Sequence, residues 1–248
     1  MDTLWLHLQA PFAAFRWMQA GVYRATSPVI PPSAAWGLVL NLAGIETRLW
    51  GGAETTQVRP DAPPLRLAIG RVRAAEVGTL FQQLHGYPVG SSGKELAPKA
   101  FGSKYWIAPA RREVLVGLDC VVGVQALEPG LLDLVRRGLA GELTQDRYGL
   151  PFAGDNNFLF DRIDVVQTPP PAHWFARLAA DDGPAPGSCR LTVGIDRADS
   201  SRTTNVLFAP TPVATVEPPE SAWTWTPRMG VASSRGYIDG CPGAEDSA

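Results

Sequence analysis

The stretch TLWLHLQ, residues 3–9, sets the fold class. Leu4, Leu6 and Leu8 alternate with Trp5, His7 and Gln9, the period of two that turns one face of a strand to a core and the other away. The outward set is aromatic and polar. Downstream, SPVIPPSAAWGLVLNLAGIE (27–46) reads as a short apolar helix. Its prolines stop the preceding loop, Ser33 stands where an N-cap is expected, Trp36, Val39, Leu40 and Leu42 supply the apolar face, and Gly44 suits the position just past the C-terminus. LRLAIGRVR (65–73) alternates again. REVLVGLDCVVGVQ (112–125) is β-branched and apolar, a strand or a pair of strands. In PGLLDLVRRGLAG (129–141), Leu131, Leu134, Val135 and Leu139 form a helical stripe, with Asp133 early and Arg136 and Arg137 late, as the helix dipole favours. NNFLFDRIDVVQ (156–167) and CRLTVGIDRAD (189–199) read as further strands.

The order is β-α-β, a long excursion over roughly 82–108, then β-α-β. It predicts an α+β chain of the ferredoxin-like, RNA-recognition-motif-like type, βαββαβ, as one domain over 1–210. After Ala209, PTPVATVEPPESAWTWTPR predicts a Pro/Trp-rich strap over 211–230, packed through Trp223 and Trp225. Residues 231–248, small and polar, predict a disordered tail.

Composition removes several function classes. The formal net charge of the 248 residues is −2, so a site for a polyanion must be local. No apolar run is long enough to span a bilayer, and the start lacks a signal-peptide pattern. Three separated cysteines (Cys120, Cys189, Cys241) and three scattered histidines (His7, His85, His173) predict a reduced, cytoplasmic protein with no disulfide, no metal site and no cofactor. Nucleotide-loop, dinucleotide-loop, zinc-protease and nucleophile-elbow motifs are absent.

Positive charge is concentrated in one region. All three lysines of the chain, Lys94, Lys99 and Lys104, fall in GKELAPKAFGSKYW (93–106). Arg71, Arg73, Arg111 and Arg112 flank them, against only Glu76 and Glu95. Phe81, Tyr87, Phe101, Tyr105 and Trp106 are interleaved. Cations pair with phosphates and aromatic rings stack on splayed bases, the composition that single-stranded RNA binding requires.

Several stretches together resemble the Cas-five family of CRISPR-associated proteins. LWLHLQAPFAAFRW, YRATSP and the PPS before the first helix are similar to the family's N-terminal signature. GSKYWIAPARREVLV (102–116), VRRGLAGELTQDRYGLPFAGDNNFLFDRI (135–163) and GIDRADSSRTTNVLFAP (194–210) resemble its DevS-like, or MYXAN, branch. The resemblance implies a type I Cascade subunit that is not an enzyme, caps the 5′ handle of the crRNA, and lays a long inserted β-hairpin, the thumb, across the RNA at about 82–110. It implies as partners the crRNA, the Cascade backbone subunits, the large subunit and, through the complex, target DNA. Carried to this sequence, it assigns Arg16 and Arg24 to phosphates, Tyr23 to a stacking or hydroxyl contact, and Lys94, Lys99 and Lys104 to the thumb. Arg71, Arg73, Tyr105, Arg111 and Arg112 join the RNA-binding set, with Asn156 in the GDNN turn a further candidate. The alternative is a metal-independent endoribonuclease using His85, which lacks the Lys-His pair of the cleaving subtype because Leu84 precedes it.

Overall fold

The computed structural model describes residues 2–20, 22–49, 57–88, 105–145, 147–179, 181–183, 185–197, 199 and 202–227; within these, the side chains of 18, 19, 84–88 and 105–108 are not described. In chain order the elements are β1 (Leu4–Ala13), β2 (Arg16–Ala20), β3 (Tyr23–Thr26), α1 (Pro32–Leu42), β4 (Arg48–Leu49), β5 (Gln57–Val58), β6 (Leu65–Arg73), β7 (Glu76–Pro88), β8 (Tyr105–Ala126), α2 (Leu131–Ala140), β9 (Arg162–Val166), β10 (His173–Arg177), β11 (Cys189–Gly194), β12 (Thr204–Pro210), a 3₁₀ turn (Glu220–Ala222) and β13 (Trp223–Thr226). Eleven strands join one sheet of mixed α/β architecture, ordered β11-β12-β10-β6-β8-β1-β9, while β13 pairs with β6 and both β7 and the β2–β3 ribbon attach to β8. REVLVGLDCVVGVQ is thus part of one strand of 22 residues rather than two.

The alternation in TLWLHLQ is realised along β1. Leu4, Leu6 and Leu8 are fully buried and oppose Val124, Val122 and Cys120 of β8. With Leu65, Leu67 and Ile69 of β6 they form the floor of the main core, under Leu38, Val39 and Leu42 of α1 and Leu131 and Val135 of α2. The helices cross closely because α2 has a glycine at the contact. A Cβ on Gly138 would lie 1.7 Å from the Leu42 carbonyl oxygen.

The opposite sheet face carries a second cluster. Trp5 packs against Trp174 and Trp223, with ring centroids 5.8 and 6.0 Å away, over Ala68, Val121, Ala172 and Ala222. Gly123 lies beneath, where a Cβ would come within 2.5 Å of the Trp5 ring and 2.8 Å of Trp223. The predicted strap enters here as strand β13, antiparallel to β6, with Trp223 opposite Ala68.

One local expectation fails. Ser33 does not cap α1, because the helix already begins at Pro32 with Pro31 at the cap position and no side-chain cap bond. Proline at the first helical position has no N–H to satisfy, which moves the start upstream. At the other end Gly44 adopts φ +73° just beyond the Ala43 cap, as its position predicts.

Candidate nucleic-acid interface

The first half of β8 pairs with β7, from Glu76↔Val116 outward to Pro88↔Tyr105. This antiparallel pair, 76–88 with 105–116, overlaps the two ends of the span 82–110. Lys94, Lys99 and Lys104 lie outside the described residues. Tyr105 begins β8 and His85 sits in β7 opposite Ile107, and neither side chain belongs to the described set.

At the base of this arm β3 runs parallel to β8 on the edge away from β7, with Tyr23 level with Arg111 and Arg24 level with Arg112. The Arg111 N–H donates to the Val22 carbonyl at 2.7 Å. Residues far apart in sequence therefore form two rows, one on each face, because adjacent strand residues point oppositely. The first row is Phe81–Arg111–Tyr23. Phe81 is 69% exposed and Arg111 is exposed. Tyr23 is half-buried and donates its hydroxyl to Glu113 Oε1, while Glu113 Oε2 accepts the Thr26 N–H at 3.0 Å. That hydrogen bond to a carboxylate raises the Tyr23 pKa, with burial and the Glu113 charge adding to it and Arg111 opposing. The tyrosine ring is held in place as a neutral phenol.

The second row is Leu80–Arg112–Arg24. Arg112 is paired with Asp155 in the GDNN turn and its guanidinium lies over the Phe158 ring, 5.4 Å from the centroid. Asp155 Oδ1 also accepts the Asn157 N–H at 3.0 Å and its Nδ2 amide at 2.8 Å. Partial burial works to raise the Asp155 carboxyl, but the Arg112 and Asn157 hydrogen bonds and the Arg112 charge outweigh it and hold the pKa below the usual carboxylate range. Arg24, half-buried beside Arg112, has a buried Nε with no hydrogen-bond partner.

The remaining predicted residues are dispersed around this base. Arg16 opens β2 opposite Thr26 and is exposed. Arg73 ends β6, exposed, 4.0 Å from Asp119. Arg71 is half-buried, with its guanidinium over the Phe175 ring, away from the two rows. Asn156 is exposed beside the Asp155 latch. His7 is bound to Asp119 at 2.8 Å on the sheet face. The sequence reading placed Phe81 only among the interleaved aromatics and assigned no role to Glu113 or Asp155. Glu113 was accessible through its i+2 spacing from Arg111, but nothing local announces Asp155, which is 43 residues from its partner. Among the described residues no three His, Cys, Asp or Glu side chains gather as metal ligands, and no helix is long and apolar enough to cross a membrane.

The profile of the family described as CRISPR-associated protein (Cas_Cas5) matches residues 3–109, which include β1, α1, β6, β7 and the start of β8. Over that segment, 107 of the 248 residues, the chain is similar to this family. Its fold resembles that of a chain in a "CRISPR RNA-guided surveillance complex", with a TM-score of 0.55 at 17% identity over 86% of this chain and 91% of that one. A "Crystal structure of Cas protein" aligns with a TM-score of 0.49 at 15% identity over 87% and 96%. No curated protein matches the chain in sequence.

Proposed function

We propose that this chain is a member of the Cas_Cas5 family and a non-catalytic Cascade subunit that holds the 5′ handle of the crRNA in a type I surveillance complex. The observation that carries this reading is the Phe81–Arg111–Tyr23 row at the base of the β7–β8 arm. An exposed guanidinium between two aromatic rings offers one phosphate contact and two stacking faces at nucleotide scale. The fold reading is ferredoxin-like. The order β6-β8-β1-β9, with α1 leading from β1 toward β6 and α2 from β8 toward β9, supports it. On this reading the β7–β8 arm is the thumb and its lysines, Lys94, Lys99 and Lys104, neutralise the RNA backbone. The backbone and large subunits are the neighbours, and target DNA is met through the guide, in the cytoplasm. Membership of the DevS-like branch rests on stretches that lie mostly beyond residues 3–109.

The test is co-purification with neighbouring subunits, sequencing of the bound RNA, and titration across salt. A shared RNA 5′ end is expected, with affinity falling as salt rises. Arg111→Ala should reduce the salt slope by about 0.7, the loss of one single-strand phosphate contact. Phe81→Ala should weaken binding by about 1–3 kcal/mol, one lost stacking partner. RNA with no common end, or two silent substitutions, would refute the assignment.

A further inference from the structure

The carboxylate of Glu113 is out of place on a surface for a polyanion. It lies two residues along β8 from Arg111, on the same strand face, and is half-buried. A negative charge so near a phosphate contact lowers affinity for every nucleic acid alike, so something specific must offset it. Part of the offset is structural. Glu113 Oε2 accepts the Thr26 N–H at 3.0 Å and so pins β3 beside β8. That tie needs no tyrosine. Glu113 Oε1 nonetheless accepts the Tyr23 hydroxyl.

The second bond decides what Tyr23 can offer a ligand. A phenol has one proton to donate and lone pairs on the same oxygen. With the proton committed to Glu113, Tyr23 Oη meets a ligand as an acceptor only. The carboxylate polarises the O–H and strengthens that acceptor. The proton stays in place near neutral pH, because the Glu113 hydrogen bond, burial and the Glu113 charge raise a pKa that is ordinarily about 10, with Arg111 opposing. Arg111, level with Tyr23 on the neighbouring strand, carries donors only. A donor suited to a phosphate oxygen thus stands one strand spacing, about 4.8 Å, from an acceptor that wants a proton.

Few groups along a nucleic-acid strand can supply that proton. Phosphates and deoxyribose have none to give. Base N–H groups lie across the ring from the backbone. The ribose 2′-hydroxyl is the donor that sits next to the phosphate, on the sugar that joins it to the base.

We propose that Tyr23 Oη accepts the 2′-hydroxyl of the ribose beside the Arg111 phosphate, and that Glu113 is the positioning residue that keeps the phenol turned to accept. The pair thereby selects RNA over DNA at the base of the arm, where backbone charge does not distinguish them. This selection rests on the RNA-binding reading and adds to it the part of the strand that is read.

Three short single strands of one base sequence, offered to the full chain at low salt, test it. They are RNA, 2′-fluoro RNA, which loses the donor but keeps an RNA-like sugar pucker, and uracil-containing DNA. The parent should bind RNA about tenfold more tightly than either of the others, the loss of one hydrogen bond. Tyr23→Phe keeps the ring and removes the acceptor, and the three affinities should then agree within about twofold. Glu113→Gln keeps the shape but releases the phenol proton, and should cut the preference by about threefold or more. It carries the test if the tyrosine variant misfolds, and a purely structural tie would leave the ratio of RNA to 2′-fluoro RNA unmoved. RNA and 2′-fluoro RNA bound equally, or a preference that survives Tyr23→Phe, would overturn the proposal. The RNA-binding reading survives either result as long as Arg111→Ala still flattens the salt slope. No binding of any strand, alone or with neighbouring subunits, would overturn both.

Discussion

Asp155→Asn isolates the latch at the base of the arm. In the parent, the Arg112 side chain is 11% exposed, ion-paired with Asp155 and set over Phe158. Asparagine keeps an oxygen for the Asn157 N–H but removes the negative charge from the guanidinium. Losing a hydrogen bond of this charged kind costs about 2 kcal/mol. Arg112 stays near the surface, which limits the penalty below that of a fully buried orphan charge. For a chain of this size about 2 kcal/mol lowers Tm by about 4–8 °C. The pH dependence is the sharper signature. The Asp155 pKa is depressed in the folded protein, so the pair's contribution is present above the unfolded carboxylate value of about 3.9 and is lost as pH falls through the folded value. Urea melts of parent and variant should therefore differ near neutral pH and converge in acid. On the RNA-binding reading the freed guanidinium adds a phosphate contact, and the salt slope should steepen by about 0.7. A stability difference that does not change with pH, or no difference at any pH, would refute the latch.

Gly123→Ala should cost about 1–3 kcal/mol by overpacking the tryptophan cluster, read as a lower Tm and an altered near-UV spectrum, with partial rescue by Trp5→Leu; a neutral substitution would mean that the rings are not closed over that glycine. Gly138→Ala drives a Cβ into the Leu42 carbonyl, which is backbone and cannot yield, so a loss of at least about 3 kcal/mol is expected in urea unfolding; a parental midpoint would remove the close crossing of α1 and α2. Tyr23→Phe removes the Glu113 bond but keeps the ring. Because the Tyr23 pKa is raised on folding, the bond's contribution is full below the unfolded value of about 10 and lost as pH rises through the folded value. Parent and variant melts should converge in alkali, and a spectroscopic titration showing an ordinary phenol would contradict the bond.

Period-two patterning was enough to find β1 and β6 and to say which residues they bury, because strand alternation is local. The same pattern gave the opposite face of β1 as aromatic and polar but not what covers it. Trp5 meets Trp174 and Trp223, more than 160 residues away in each case, and no neighbouring residue signals such contacts. The pair Arg111–Arg112 was legible in one respect only. Adjacent strand residues must face opposite ways, and the structure does place Arg111 in the row with Tyr23 and Arg112 against Asp155. Which of the two meets a carboxylate depends on the GDNN turn, and turn chemistry predicts a bend there, not its partner across the fold. Ser33 was misplaced because a hydroxyl signals a cap strongly, while the preceding prolines had already made the start of the helix.

The length of β8 has a mechanical consequence. One continuous strand pairs with β6 over 119–126 and with β7 over 105–116. Between them Gly117 holds φ +75°, but β1 spans that bend, holding Leu118 on one side and Val116 and Leu115 on the other, and β3 holds Arg111 and Arg112 further out. The arm is therefore a cantilever clamped along its root, and 105–110 project beyond the clamp, on the order of 20 Å of strand. A load applied at the far end would return to the sheet through the β1 and β3 pairings, with Asp155 bracing Arg112 beside them.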